Sequence, residues 1–137
     1  MAVPADLDRR VRDRAKGVCE YCRLPQAAYR LRFQIDHIIA EQHRGKTQFG
    51  NLCLSCPRCN KNKGPNISGI DYKTRRLTPL FHPRRDRWAD HFAWQGSRLR
   101  GLTPIGRVTI DVLGINQLDA VKVRRELKRE GLYPPDS

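Results

Sequence analysis

The chain has 137 residues and a formal net charge of +13, from 27 Lys and Arg against 14 Asp and Glu. This length allows one modest core and is too short for two independent ones, and no apolar run approaches the roughly 18 residues needed to span a bilayer. The lack of such a run argues against a membrane protein. The positive charge favours a nucleic acid as partner, with an acidic lipid surface or a generally basic soluble protein as the alternatives.

The first predicted element is a short basic helix. Residues 5–16 read ADLDRRVRDRAK, with Asp6 or Asp8 as a capping residue and Gly17 at the position of a left-handed terminating residue. Arginine dominates one side of this helix, which predicts either a solvated face or a phosphate contact. No apolar stretch of a signal peptide is found here, so we expect a cytoplasmic protein.

A strand, a loop and a second short helix follow. In RLRFQIDHII, the residues Leu31, Phe33 and Ile35 alternate with polar ones, as in a half-buried strand that ends at Asp36-His37. The polar segment AEQHRGKTQFG is then a loop, and CPRCNKNKG predicts a helix of about two turns, with proline at its first position and Gly-Pro as its stop.

The second half of the chain contains no cysteine. Its first part, GIDYKTRRLTPLFHPRRD, predicts a draped loop, and HFAWQGSRLRGL predicts a β-hairpin. Two helices follow, one capped by Thr103 and ended by Gly114, the other starting near Asn116 with Ala120, Val123 and Leu127 on its inner face. The final LYPPDS is expected to be loose.

Aromatic residues of the second half have two readings. Trp88, Phe92 and Trp94 pack in a core or stack on unpaired bases, and packing is the more common role.

Four of the five cysteines form two CxxC pairs. Cys19 and Cys22 make the first pair, Cys56 and Cys59 the second, and in a reducing compartment four such thiolates predict a closed tetrahedral structural zinc site. A redox or disulfide role is the alternative. Cys53 is left over between leucines and is expected to be a small buried apolar residue.

The ordered elements CEYC, IDHI, Asn51, CPRC and Asn60 resemble the zinc-containing branch of the HNH endonuclease family. Thirteen residues separate His37 from Asn51 and eight separate Asn51 from Asn60. The resemblance covers about residues 15–66, and PLFHPR and GLTPIGR are similar to segments of small bacterial HNH proteins. The family has a histidine or an asparagine at its last motif position, here Asn60.

Hydrolysis of a phosphodiester requires a base that activates water and a positive charge at the phosphate. His37 suits the base, and the oxygens of Asp36 and Asn60 suit a hard cation, Mg²⁺ or Mn²⁺, that would stabilise the departing 3′ oxygen. The resemblance implies the same three assignments and makes Asn51 the residue that ties the loop and orients the histidine. Because neighbouring strand residues point to opposite faces, Asp36 and His37 serve one site only if the backbone turns there.

Basic side chains near this site are expected to contact the substrate. Lys63 follows Asn60 by three residues and so shares its helix face, which places it near the scissile or adjacent phosphate. His43 is a DNA contact, a histidine that backs up the site or, more simply, a surface histidine of a polar loop. The expected nucleic-acid contacts are Lys63, Lys61, Arg58 and Arg44.

These features predict a single α+β domain over residues 1–137. Its motif core, at about 15–66, would be a ββα-metal HNH fold braced by the four-cysteine zinc site, and residues 67–137 would add a β-hairpin and two helices. The predicted function is a metal-dependent endonuclease that acts on DNA, expected to be double-stranded. The alternatives are a non-catalytic zinc-ribbon-like nucleic-acid-binding protein and a basic structural protein that uses zinc only for stability.

Overall fold

The computed structural model describes residues 3–135 and has an α+β fold of five helices and six short strands within that range. The strands form three separate two-stranded antiparallel sheets, β1–β2, β3–β4 and β5–β6. Helices and strands run in chain order as α1 (Ala5–Ala15), β1 (Gln34–His37), β2 (Leu52–Ser55), α2 (Pro57–Lys63), β3 (Ser68–Ile70), β4 (Leu77–Pro79), α3 (Trp88–His91), β5 (Phe92–Gln95), β6 (Arg98–Gly101), α4 (Pro104–Leu113) and α5 (Leu118–Arg129).

The predicted two-strand-plus-helix core is present as β1, β2 and α2. Asp36 lies opposite Cys53 and His37 opposite Leu52 in the sheet register. All four residues of β2 are buried, and α1 packs against this strand while α2 packs against β1. The strand is shorter than the alternation predicted: Phe33 is fully buried, but Leu31 is 62% exposed and lies before the strand, so that part of the prediction is wrong.

Two arginines of α1 have neither of the predicted roles. Arg12 donates a hydrogen bond to the backbone oxygen of Phe33, and Arg14 donates to the backbone oxygens of Phe49 and Leu52. The Arg14 guanidinium also lies 3.8 Å from the centre of the Phe49 ring. Burial lowers the pKa of Arg14. These side chains therefore fasten the helix to the β1–β2 unit, and neither solvation nor phosphate contact describes them.

The predicted draped loop is in part a β-hairpin, β3–β4, which packs against α4. Gly69 allows this close approach, since a Cβ there would lie 2.9 Å from a methyl group of Val112. Asp71 is fully buried in the connecting loop, where it accepts a hydrogen bond from the Thr74 N–H and pairs with Arg107 through both carboxylate oxygens, at 2.9 and 3.0 Å. A proline-rich stretch thus has a fixed shape because one buried carboxylate organises it.

The C-terminal hairpin and two helices are confirmed. Thr103 caps α4 through its hydroxyl, which accepts from the Gly106 N–H, and Gly114 ends the helix in the left-handed region. In α5 the inner face differs from the prediction, because Val123 is 44% exposed whereas Arg124 is buried. The Arg124 guanidinium donates to the backbone oxygen of Ser97.

The aromatic residues form part of the core, as the packing alternative predicted. The rings of Trp88 and Trp94 lie 5.3 Å apart, and Trp94 meets Tyr133 at 4.9 Å. Tyr133 is also buried and donates to the backbone oxygen of Cys22 at 2.6 Å, so the segment expected to be loose is docked at this residue. The last two positions of that segment lie outside the described residues.

No helix within residues 3–135 has the length and apolar character required to cross a membrane.

Candidate metal centre and nuclease site

The two cysteine pairs meet at one point between the N-terminal knuckle and the start of α2. All four Sγ atoms lie within 4.8 Å of one another, and those of Cys22 and Cys56 are 3.7 Å apart. A tetrahedral zinc site with Zn–S bonds of about 2.3 Å has sulfur–sulfur edges of about 3.8 Å. The side chains at this centre are Cys19, Cys22, Cys56 and Cys59, all buried.

The four buried thiols influence one another's ionisation. Burial raises the pKa of Cys19, but hydrogen bonds from the neighbouring thiols outweigh burial and lower that pKa well below its ordinary value. The pKa values of Cys22 and Cys59 are raised well above theirs, because the first thiolate already occupies the cluster. Four thiolates in so small a buried volume would repel one another, and a divalent metal would balance their charge. The donor set fits zinc, which prefers four sulfur ligands in closed structural sites.

Cys53 is not part of this centre. It is fully buried on β2, its thiol donates to the Tyr21 hydroxyl, and burial raises its pKa. A thiol that is protonated in this way is a packing residue, as the sequence predicted.

The helix α2 begins at the metal centre and ends at Lys63, which contacts β1. Cys56 is its N-cap, with Sγ accepting from the Cys59 N–H at 3.5 Å, and Pro57 takes the first helical position. Successive helical residues are rotated by about 100°, so Asn60 leaves the cysteine face. Cys56 and Cys59 therefore hold the start of α2 in place, and Asn60 projects from another face of the same helix.

His37 lies at the end of β1 with its ring partly shielded. Its Nε2 is hydrogen-bonded to the Thr47 hydroxyl at 2.8 Å and lies 3.9 Å from a carboxylate oxygen of Glu41. No hydrogen bond to Nδ1 occurs within residues 3–135, so this nitrogen is available on the ring. The loop that follows the strand thus orients the histidine from one side.

Asn51 ties that loop together through its side-chain amide. Its oxygen accepts from the Ile39 N–H at 2.9 Å, and its nitrogen donates to the backbone oxygens of Ile39 and Lys46, both at 3.0 Å. Gly45 allows this arrangement because a Cβ at that position would lie 1.7 Å from the Ile39 oxygen. The amide contacts backbone on both sides of the loop and makes no hydrogen bond to the His37 ring.

Asp36 and Lys63 form a buried ion pair between β1 and α2. The Lys63 ammonium lies 3.0 Å from Asp36 Oδ2 and donates to the backbone oxygen of His37 at 3.0 Å. Burial raises the pKa of Asp36, and the ammonium opposes that rise. Lys63 is only 1% exposed. The expectation that its ammonium faces a phosphate is therefore not met in this structure: the side chain points into the protein toward the carboxylate.

Asn60 is half-buried one turn before Lys63 on the same face of α2. Because Lys63 reaches Asp36, this face of the helix is directed at the end of β1. The Asn60 side chain makes no hydrogen bond within the described part of the chain, so its amide oxygen has no competing donor there. Apart from the four thiols, no group of three or more His, Cys, Asp or Glu ligand atoms comes together within residues 3–135.

The remaining predicted substrate contacts differ in their surroundings. Lys61 and Arg44 are exposed. Arg58 instead bonds to Gln117 and forms an ion pair with Asp119, so it joins α2 to the start of α5. A free phosphate contact is compatible with the first two side chains only.

Sequence reasoning missed Thr47 and Gly45, which shape the surroundings of His37. Neither belongs to a chemically conspicuous residue type. The available signal was Gly45 itself, because a glycine in the loop between β1 and β2 indicates a close backbone approach.

Comparisons with known proteins support the resemblance. Residues 19–66 match the family model described as HNH endonuclease. Over 111 residues the chain is 28% identical to the Septu protein PtuB of Bacillus thuringiensis, covering 80% of this chain and 40% of that protein. The chain thus spans about two-fifths of the length of the curated relative it matches. No solved structure matches the chain. The comparisons confirm the predicted resemblance, indicate a nuclease and do not favour the binding-module alternative.

Proposed function

We propose that this chain, whose residues 19–66 match the HNH endonuclease family, hydrolyses phosphodiester bonds of double-stranded DNA with a divalent cation. The observation that carries the proposal is the anchoring of His37. Its ring is bonded through Nε2 to Thr47, and its Nδ1 makes no hydrogen bond within residues 3–135. The net charge of +13 suits a polyanionic substrate.

His37 acts as the general base in this proposal. With Nε2–H donating to the Thr47 hydroxyl, Nδ1 carries the lone pair that accepts a proton from water. The water oxygen then bonds to phosphorus, and the bond from phosphorus to the 3′ oxygen breaks.

Asp36 and Asn60 would hold Mg²⁺ or Mn²⁺, which when bound supplies positive charge at the scissile phosphate. Their oxygens fit such a hard cation, and Asp36 Oδ2 is buried without a hydrogen bond within the described chain, apart from its ion pair. The Lys63 ammonium keeps the carboxylate in place from the protein side. Lys61 and Arg44 remain as phosphate contacts in this proposal.

Asn51 is a positioning residue. Its three hydrogen bonds hold the segment from Ile39 to Lys46 closed, and that segment carries the loop in which Thr47 follows. Loss of the amide would release the partner of the His37 ring. This effect is separate from any contact with substrate.

A plasmid-nicking assay tests the proposal. Wild type, His37→Ala and Asn60→Ala are compared in Mg²⁺, in Mn²⁺ and in EDTA, with zinc content and DNA affinity measured for each. His43→Ala is the matched control, since it removes an exposed histidine from the neighbouring loop. We expect the first two variants to lose cleavage while keeping zinc and DNA binding, and the control to cleave normally. Undiminished cleavage by His37→Ala, or binding by wild type without cation-dependent cleavage, would overturn the proposed function.

A further inference from the structure

A polar groove of about 520 Å³ lies between the β3–β4 loop and strand β6, away from the candidate nuclease site. Tyr72 and Lys73 line one side, and Arg98 and Arg100 line the other. None of the residues that line it belongs to the zinc centre or to the set Asp36, His37, Asn51 and Asn60.

Three of the four cations that line this groove are not neutralised by the described part of the chain. Lys73, Arg98 and Arg100 are exposed, and within residues 3–135 none of them forms an ion pair. Two acidic groups are relevant here: Asp111 lines the groove, and Asp71 pairs with the lining residue Arg107. Asp71 is engaged with Arg107, which lowers its pKa, and the exposed Asp111 carries the remaining negative charge. Burial raises the pKa of Asp111. Positive charge is therefore in excess.

The spacing of the two arginines suits a nucleic-acid backbone. Arg98 and Arg100 are alternate residues of β6 and project from the same face, about 6.8 Å apart along the strand. One strand of duplex DNA rises about 3.4 Å per phosphate. Because each step also rotates about the duplex axis, neighbouring phosphates of one strand lie roughly 6–7 Å apart through space. The spacing of the two arginines therefore suits two consecutive phosphates, and Tyr72, 63% exposed at the rim, adds a ring and a hydroxyl.

Both sides of the groove are rigidly mounted. The loop that carries Lys73 is fixed by Asp71 through Thr74 and Arg107. On the other side, the Asn116 side chain accepts from the Leu99 N–H and donates to the Leu99 oxygen, which holds β6 between its two arginines. Charged groups that are already held in place lose less conformational freedom on binding.

We infer that this groove binds the sugar-phosphate backbone of the DNA duplex through residues that lie outside the candidate nuclease site. The inference rests on the proposed function for the identity of the polyanion. It assigns the C-terminal extension a role in holding substrate, and it predicts that affinity and cleavage can be separated by mutation.

The experiment measures duplex affinity by fluorescence anisotropy across a range of salt concentrations, in the His37→Ala background so that no substrate is consumed. The test variant is Lys73→Ala/Arg98→Ala/Arg100→Ala. The matched control removes three exposed, unpaired cations from α5, as Lys122→Ala/Arg125→Ala/Lys128→Ala. Zinc content and circular dichroism confirm that both variants are folded.

We expect the test variant to bind at least about tenfold more weakly near physiological salt, and the slope of log affinity against log salt to fall by about 0.9 for each lost phosphate contact. The control should change the slope by less than about one. Equal losses in the two variants would overturn the inference, because general charge would then explain both.

Failure of the groove inference is distinguishable from failure of the proposed function. A wild-type protein that cleaves nothing but shows the difference in slopes refutes the nuclease and supports the groove. Cleavage by the test variant in a His37-intact chain, restored to the wild-type level at saturating protein, supports the separation of the two sites.

Discussion

Replacing Lys63 by methionine removes a buried positive charge while keeping a side chain of similar length. The native ammonium lies 3.0 Å from Asp36 Oδ2, with side-chain exposures of 1% and 11%. At this separation and an effective dielectric constant of about 20, the attraction is roughly 5.5 kcal/mol, which largely offsets the desolvation of both groups. The variant leaves a carboxylate buried without its partner, so we expect the free energy of unfolding to fall by about 3–5 kcal/mol.

Urea denaturation of the zinc-loaded protein measures this change. With a slope of about 1–3 kcal/mol per molar urea, the midpoint should fall by at least about 1 M. Lys61→Met is the control, because Lys61 is an exposed lysine of the same helix and its loss should cost less than about 0.5 kcal/mol.

A second substitution isolates the charge from the packing. Asp36→Asn combined with Lys63→Met removes both charges and should be more stable than Lys63→Met alone by about 2 kcal/mol or more. The reasoning is refuted if the double variant unfolds at the same urea concentration as Lys63→Met, or if the latter matches Lys61→Met.

Three further outcomes test other parts of the structure. Cys59→Ser should abolish stoichiometric zinc binding by elemental analysis and, since structural zinc contributes on the order of 10 kcal/mol, also cooperative unfolding, whereas Cys53→Ala should retain zinc. Gly45→Ala places a Cβ 1.7 Å from a backbone oxygen and should lower both the urea midpoint and DNA nicking, whereas Gly50→Ala, with nothing within 4 Å, should lower neither. Asp71→Asn should lower the free energy of unfolding at neutral pH, because the hydrogen bond from Arg107 lowers the pKa of the native carboxylate and so stabilises the folded state. This contribution is lost as the pH falls below about 4, so the difference in urea midpoint between the variant and wild type should shrink there.

The local elements could be predicted because their signals lie within a few residues. Thr103 and Gly114 mark the two ends of α4, and Pro57 marks the first turn of α2. The cysteine spacing and the order of the motif residues likewise depend on short-range pattern and on residue chemistry.

The parts that failed depend on partners distant in the chain. The β3–β4 segment appeared irregular because the pairing of Asp71 with Arg107, 36 positions away, cannot be read from local pattern. Arg124 takes an inner position of α5 for a similar reason, since its guanidinium finds backbone and side-chain acceptors in the β5–β6 hairpin and at Asn116. Local periodicity favoured Val123 at this inner position. Arg124 is buried there instead, because hydrogen bonds to acceptors that are already in place satisfy its guanidinium group.

The site shows the same division. His37, Asp36 and Asn60 were identified by residue type, which is what chemistry requires of a base and of oxygen ligands. The face of α2 on which Lys63 lies was predicted from helix periodicity. Periodicity does not show which strand residues lie opposite that face or how deeply the side chain is buried against them. The nearby carboxylate at the end of β1 attracts the ammonium inward.

The thiol cluster joins Cys22 to Cys56, and the segment enclosed between them carries both strands of the core with His37 and Asn51. With zinc bound, this segment is a closed ring, and a closure of about 34 residues restricts the unfolded chain by roughly 4 kcal/mol if the metal acts as a covalent cross-link would. A single backbone cut in the exposed stretch from Glu41 to Arg44 would therefore leave both ends attached. The nicked protein would still hold His37, Asp36 and Asn60 together. The two fragments would stay associated only while the metal was bound, because the backbone would no longer connect them.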